Sequence, residues 1–235
     1  MSTLLLTLTA PLQSWGDASR FPNRMTRHEP TKSAILGLIA AAQGRRRTDS
    51  IEDLLHLRFG VRIDQQGTII RDFHTAHKLT GEAMPLSNRY YLSDAIFVAG
   101  LEGEKALLDS IADALLRPAF PLFLGRRSCA PSGKLVSGVV EAGLVEALRA
   151  EPWHASIWYR KRLTHGNVPL ELIRDRLPSD TGEEALETVR DIPESFSPER
   201  REYGWRDVVH DASVLVENTY GRVPAPTEHN PWDAL

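Results

Sequence analysis

Thr3 to Thr9 alternates, with Leu4, Leu6 and Leu8 on one side and Thr3, Leu5, Thr7 and Thr9 on the other. That period of two predicts an opening β-strand. About twenty residues follow, broken by Pro11, Gly16, Pro22 and Pro30. A connection of that length suggests a functional segment rather than a simple turn. After Pro30-Thr31 the pattern changes to Ile35, Leu38, Ile39 and Ala42, the spacing of one helix face, and Gly37, Ala40 and Ala41 leave a slim side suited to close packing. Gly44 stops the helix, and Arg45–Arg47 suit the negative end of its dipole. A second alternating strand is predicted over 58–64, with Phe59, Val61 and Ile63 inward and Arg58, Arg62 and Asp64 outward. Tyr90–Ala99 reads as a third strand, and Glu102–Leu116 as a second helix carrying Leu108, Ile111, Ala112 and Leu115 on one face. Apolar residues at 120–124 and 135–140 can supply a fourth strand.

The order strand, helix, strand, strand, helix, strand predicts an α+β fold: two helices on one face of a four-stranded antiparallel sheet, the ferredoxin-like or RRM-like arrangement. The segment 65–89 is too long for a hairpin turn and is expected to project from the sheet as a β-hairpin or thumb. Residues 1–150 thus form the expected palm domain with its insertion. Residues 151–235 form an expected small C-terminal β-containing lobe, with strands at 155–160 and 212–217 and a mobile acidic loop at about 175–200.

The chain has 235 residues and a formal net charge of −3, so it is no overtly basic nucleic-acid binder. The charge is unevenly spread. Residues 1–50 hold seven Lys/Arg against three acids, whereas 170–200 hold nine acids against four Arg. A basic surface therefore remains compatible with the overall balance. The single cysteine, Cys129, excludes an internal disulfide and a multi-Cys zinc site. No run approaches the ~20 apolar residues of a membrane span, and the N-terminus lacks a basic leader, so the expected location is the cytoplasm.

Three constellations can carry chemistry. Pro30-Thr31-Lys32-Ser33 opens a helix, where free N–H groups and Lys32 make either an anion site or an ordinary N-cap with an exposed lysine. The glycines of a P-loop are missing before it. Gly125-Arg126-Arg127-Ser128 sets two guanidinium forks at an element's end, for phosphate recognition or for surface ion pairs. Asp72-Phe73-His74-Thr75, with His77, Lys78 and Asn88-Arg89-Tyr90-Tyr91, places basic and aromatic groups on the projecting arm, a composition suited to single-stranded RNA. No carboxylate or Cys accompanies His74 and His77 in a metal-binding spacing, and there is no Gly-x-Ser-x-Gly elbow. The tryptophans read as packing residues, with Trp15, at the start of the basic loop, set apart as the exception.

Taken together and in order, Ala10-Pro11-Leu12-Gln13-Ser14-Trp15-Gly16, Pro30 to Leu38, Asp72–Thr75, Tyr90-Tyr91-Leu92-Ser93-Asp94-Ala95 and Leu124–Cys129 resemble the CasD family. These are the RAMP-type subunits of the type I-E CRISPR surveillance complex, Cascade. The resemblance spans about residues 3–140. It implies an RRM-like palm with a thumb, and a non-catalytic role in antiviral defence: capping the 5′ handle of CRISPR RNA and helping assembly and target recognition. The implied partners are CRISPR RNA, the backbone subunit met by the thumb and the large PAM-reading subunit, with target DNA involved indirectly. It implies no cofactor, metal or membrane. The expected RNA-binding residues are Arg20, Arg24, Thr31, Lys32, Ser33, His74, Arg89, Arg126, Arg127 and Ser128. The alternative is a metal-independent endoribonuclease that processes repeat RNA, as in the type I-C branch, with His28, His74 or His77 as acid or base.

Overall fold

The computed structural model describes residues 1–16, 23–180, 185–197 and 199–221. Eleven strands and five helices are assigned among them. In chain order these are β1 (Ser2–Thr9), β2 (Leu12–Gln13), β3 (Asn23–Arg24), α1 (Lys32–Ala42), α2 (Glu52–Leu55), β4 (Arg58–Gln65), β5 (Thr68–His74), β6 (Ser87–Ser93) and β7 (Ile96–Gly103). There follow α3 (Lys105–Leu116), β8 (Val136–Val140), α4 (Leu144–Ala150), α5 (Ile157–Arg162), β9 (Asn167–Asp175), β10 (Ala185–Phe196) and β11 (Arg201–Glu217).

Seven antiparallel strands form the main sheet in the order β10-β11-β9-β4-β7-β1-β8. The alternation read from β1 is present, and it sorts two cores. Leu4, Leu6 and Leu8 pack with Phe97, Ala99 and Leu101 of β7 under α1 and α3. Leu5 and Val98 face the other way and pack against Leu144, Ala147 and Leu148 of α4. A Cβ added at Gly60 or Gly100 would come within 3.1 Å and 2.7 Å of Leu144 or Leu148 methyls, so these two glycines let α4 lie close to the sheet.

Coverage of both faces overturns the expectation that Arg62 and Asp64 point outward, because β4 is an interior strand. Both are fully buried as a bidentate ion pair. Arg62 also donates to the carbonyls of Leu148, Glu151 and Pro152, satisfying backbone acceptors that the end of α4 leaves open. Asp64 in turn accepts from the His154 backbone N–H.

Tyr90–Ala99 is two strands, not one. Asp94, at φ 58°, breaks the run, and β6 turns into a second, small sheet with β2, β3 and β5. In that sheet β5 and β6 form an antiparallel hairpin whose connecting residues 75–86 are exposed. Phe73, Leu79, Met84 and Leu86 are exposed on it. Of the segment 65–89, Gln65 is the buried end of β4, and 68–74 and 87–89 belong to this hairpin, the β5–β6 arm.

The C-terminal third departs most from expectation. The predicted strand at 155–160 is α5, because Ala155, Tyr159 and Leu163 reach one apolar cluster at helical spacing. Residues 185–196, expected inside a mobile acidic loop, form strand β10, whose alternation buries Val189 and Asp191. The strand read at 212–217 is the end of β11. Through β9 these strands continue the sheet of β4, β7, β1 and β8, so 151–217 is joined to the first 150 residues by backbone pairing.

Candidate nucleic-acid interface

The described ends of the 10–30 segment, 10–16 and 23–30, are organised around its Gln-Ser-Trp-Gly sequence. The Gln13 amide donates to the carbonyls of Leu8 and Ala95, and its oxygen accepts from the Trp15 indole. Trp15 is 1% exposed and meets Phe97 edge to face, so it is a packing residue and offers no stacking surface. The Trp15 backbone N–H donates to Thr26 and its carbonyl accepts from Arg27, which closes the loop onto itself.

Gly125 docks on this loop at φ +89°, where a Cβ would stand 1.6 Å from the Ser14 carbonyl oxygen. Only glycine permits that approach. Arg126 then turns inward. Its guanidinium donates to the carbonyls of Tyr90 and Arg24 and lies 4.6 Å over the Tyr91 ring. The fork expected to hold phosphate is therefore mostly engaged in tying β3 and β6 to the 124–129 turn. Arg127 is exposed. Cys129 is buried, and burial raises its thiol pKa, which leaves it protonated and inert.

The start of α1 also differs from expectation. Thr31 is its N-cap and accepts from the Ala34 N–H. The anion at the helix start comes from the chain itself: the Asp191 carboxylate accepts from the Lys32 backbone N–H at 2.7 Å. Lys32 is 6% exposed, and its ammonium pairs with Asp175 at 2.9 Å. Arg206 completes the cluster with bonds to both carboxylates. With the Lys32 ammonium and the first N–H of α1 already bonded to the chain's own carboxylates, the place expected for a phosphate is taken by Asp175 and Asp191.

A different part of α1 borders an open groove of about 780 Å³. Its floor is the slim side of the helix, Ala34, Gly37, Ala40 and Ala41. Arg45, Arg46 and Arg47 leave the helix end at Gly44, whose φ of 77° and N–H bond to the Ala41 carbonyl end the helix. One wall is Phe120–Phe123 with the 125–127 turn, and the other is Phe196, Arg201 and Tyr203 from the β10–β11 hairpin. Among the described lining residues there are seven arginines, four aromatic rings, and no carboxylate or histidine. Arg45 is paired with Asp53, which raises the Arg45 pKa. Arg46, Arg47, Arg127 and Arg201 have no carboxylate at ion-pair distance among the described residues.

Of the ten residues expected from sequence, the groove gathers Arg24, Ser33, Arg126 and Arg127. Thr31, Lys32 and Ser128 are not among its described lining residues, and His74 and Arg89 lie on the β5–β6 arm. Arg20 lies outside the described residues. The residues that sequence reasoning missed are Arg46, Arg47, Arg201, Phe120, Phe123, Phe196 and Tyr203. The triple arginine after α1 carried a signal, but it was read as a partner of the helix dipole and as part of the basic excess of residues 1–50, and not as a binding site. His74 pairs with Asp72 and His77 with the Gly81 carbonyl. Among the described residues no three His, Cys, Asp or Glu are grouped to hold a metal, and no helix is long and apolar enough to cross a membrane.

The family described as CRISPR-associated protein (Cas_Cas5) matches residues 3–209. The chain belongs to this family. The CRISPR system Cascade subunit CasD of Escherichia coli (strain K12) is 32% identical over 162 residues, which is 60% of this chain and 72% of the relative. This Cas5-family chain also resembles a chain of a solved CRISPR RNA-guided surveillance complex, with TM-score 0.75 and 32% identity, covering 93% of this chain and 92% of that one. A second solved structure, described as a Cas protein, matches with TM-score 0.68 and 37% identity, over 93% of this chain and 97% of that one.

Proposed function

We propose that this Cas5-family chain is the non-catalytic RNA-binding subunit of a type I-E Cascade surveillance complex, and that its arginine groove holds the unpaired 5′ handle of CRISPR RNA. The observation that carries this reading is the groove itself: four arginines without carboxylate partners beside four aromatic rings. An unpaired strand offers phosphates to the guanidinium groups and flat bases to the rings. The strands β8-β1-β7-β4, with α1 and α3 on one face, are read as a ferredoxin-like palm, and the β5–β6 arm as its thumb. Exposed Phe73, Leu79, Met84 and Leu86 suit that arm to a neighbouring backbone subunit. The histidines weighed for endoribonuclease chemistry, His28, His74 and His77, are absent from the described lining, which favours binding over cleavage.

The test is a salt series of handle RNA binding to the full chain and to the variant Arg46→Ala/Arg47→Ala/Arg127→Ala/Arg201→Ala. Each lost phosphate contact lowers the slope of log K against log salt by about 0.7, so four lower it by about 2.8. Between about 50 and 200 mM salt the wild type then loses roughly fifty-fold more affinity than the variant. The four Arg→Lys replacements keep the slope. Arg126→Ala lowers thermal stability and leaves the slope near wild type, because its donors already face carbonyls. An unchanged slope in the quadruple variant removes the groove from RNA binding. Specific cleavage of repeat RNA, abolished by His74→Ala, replaces this reading with the endoribonuclease.

A further inference from the structure

α5 lies on the sheet face opposite the groove. Tyr159 and Leu163 pack inward with Trp153, Leu170 and Val216. Val214 touches both this cluster and the one beneath α4, which fixes the face. The outer side of α5 is Ile157, Trp158, Lys161 and Arg162, with Ile157 56% and Trp158 48% exposed. The Arg162 guanidinium stands 5.8 Å from the Trp158 ring centre, and the Lys161 ammonium 5.7 Å from that of Tyr220. Neither cation has a carboxylate at ion-pair distance among the described residues.

The cause is visible in the sequence. From Pro152 to Leu170 there is no Asp or Glu, although the chain as a whole is acidic. Arg160, the third cation of the turn, is already engaged: it stacks 4.6 Å over Trp153 and donates to the carbonyls of Trp153 and Ala155. Arg160 therefore fixes the helix, while Lys161 and Arg162 are held beside rings with their donors turned to solvent. Ring contacts of this kind restrict long side chains without neutralising them. An acidic protein patch would match the charge alone. An unpaired nucleotide supplies both the phosphate for the cations and a flat base for the open indole.

We propose that α5 is a second, sequence-tolerant contact for single-stranded nucleic acid, separated from the handle groove by the thickness of the sheet. The experiment titrates the full chain with an unstructured oligouridylate of about eight nucleotides, a length within the usual range for one single-strand site. Wild type is expected to take two strands, and Lys161→Ala/Arg162→Ala one. The quadruple groove variant also takes one, by α5, so failure of the groove reading is separable from failure of this one. Trp158→Ala weakens the α5 site on the order of tenfold. Arg162→Lys retains both strands, and all variants are required to keep the wild-type Tm. Unchanged stoichiometry in the α5 variants overturns the proposal, whether wild type takes two strands or one. Loss of an acidic Cascade subunit with oligonucleotide binding intact gives the face to a protein and overturns it equally.

Discussion

Replacing Asp191 with alanine removes a carboxylate that is 1% exposed and accepts from the Lys32 backbone N–H at 2.7 Å and from Arg206 Nη2 at 2.9 Å. Two cations, Lys32 and Arg206, would then share the single carboxylate of Asp175, to which they bond at 2.9 and 2.6 Å. The first N–H of α1 would also lose its acceptor. Removing one member of a buried, hydrogen-bonded ion pair costs about 3–5 kcal/mol. For a chain of this size that lowers the Tm by roughly 6–20 °C. Urea unfolding followed by circular dichroism should show a lower midpoint with an unchanged m value. Asp191→Asn keeps an oxygen for the Lys32 N–H and loses the charge, so its loss is expected to be smaller. Handle RNA affinity, corrected for the folded fraction, stays at the wild-type value, because the helix start is a structural joint. A stability loss under about 1 kcal/mol, the range of exposed pairs, would refute the burial argument. A gain in RNA affinity would show that emptying the helix start opens a phosphate site there.

Two further perturbations probe the same framework. Gly125→Ala combines a φ of +89° with a Cβ 1.6 Å from the Ser14 carbonyl oxygen. The left-handed conformation alone costs about 1–2 kcal/mol, and the turn must also move; urea unfolding should give a larger total together with weaker handle binding, whereas wild-type values in both would show that the turn is not docked. Asp180 accepts two bonds from Arg174 at 2.7 and 2.9 Å, chiefly for which its carboxyl pKa is lowered. A folded-state pKa below the unfolded value of about 3.9 stabilises the protein at neutral pH, and that stability is lost as pH falls through the depressed value. Asp180→Asn should therefore be less stable at pH 7, and its curve should converge on wild type in strong acid; parallel curves would remove Asp180 from the pH dependence.

The strands and helices of the first 140 residues were legible wherever the apolar positions kept a clear period. The helical spacing of α1 and α3 marks their packed faces, and the alternation of β1 sorts Leu4, Leu6 and Leu8 from Leu5 although both sides of the strand are covered. Arg62 and Asp64 were misread because a charged residue on an alternating strand ordinarily marks solvent, and nothing local shows that α4 will cover that face. Lys32 was misread for a related reason. Its fate depends on Asp175 and Asp191, 143 and 159 residues away in the chain. The Trp158 region looked strand-like because Ile157, Trp158 and Tyr159 are strand-favouring, and only the packing of Ala155, Tyr159 and Leu163 reveals the helix. Arg127 was recognisable from its motif. Arg201 and Tyr203 were not, because they reach the groove only through the register of β10 on β11.

That register explains where the groove can be. Both faces of the seven-stranded sheet are covered, by α1 and α3 on one side and by α4 and α5 on the other, so the central strands offer no open platform for bases. The open concavity lies instead beside α1, against a wall that the C-terminal hairpin supplies. Asp191 fastens β10 to the start of α1, and five residues further along Phe196 arrives 3.6 Å from where a Gly37 side chain would begin. Arg201 and Tyr203 follow on the returning strand. The hairpin that closes the helix start with its ion cluster thus also carries the groove's second wall. A carboxylate in place of a bound phosphate at Lys32 and an arginine groove one to three turns away are two consequences of one hairpin docking on one helix.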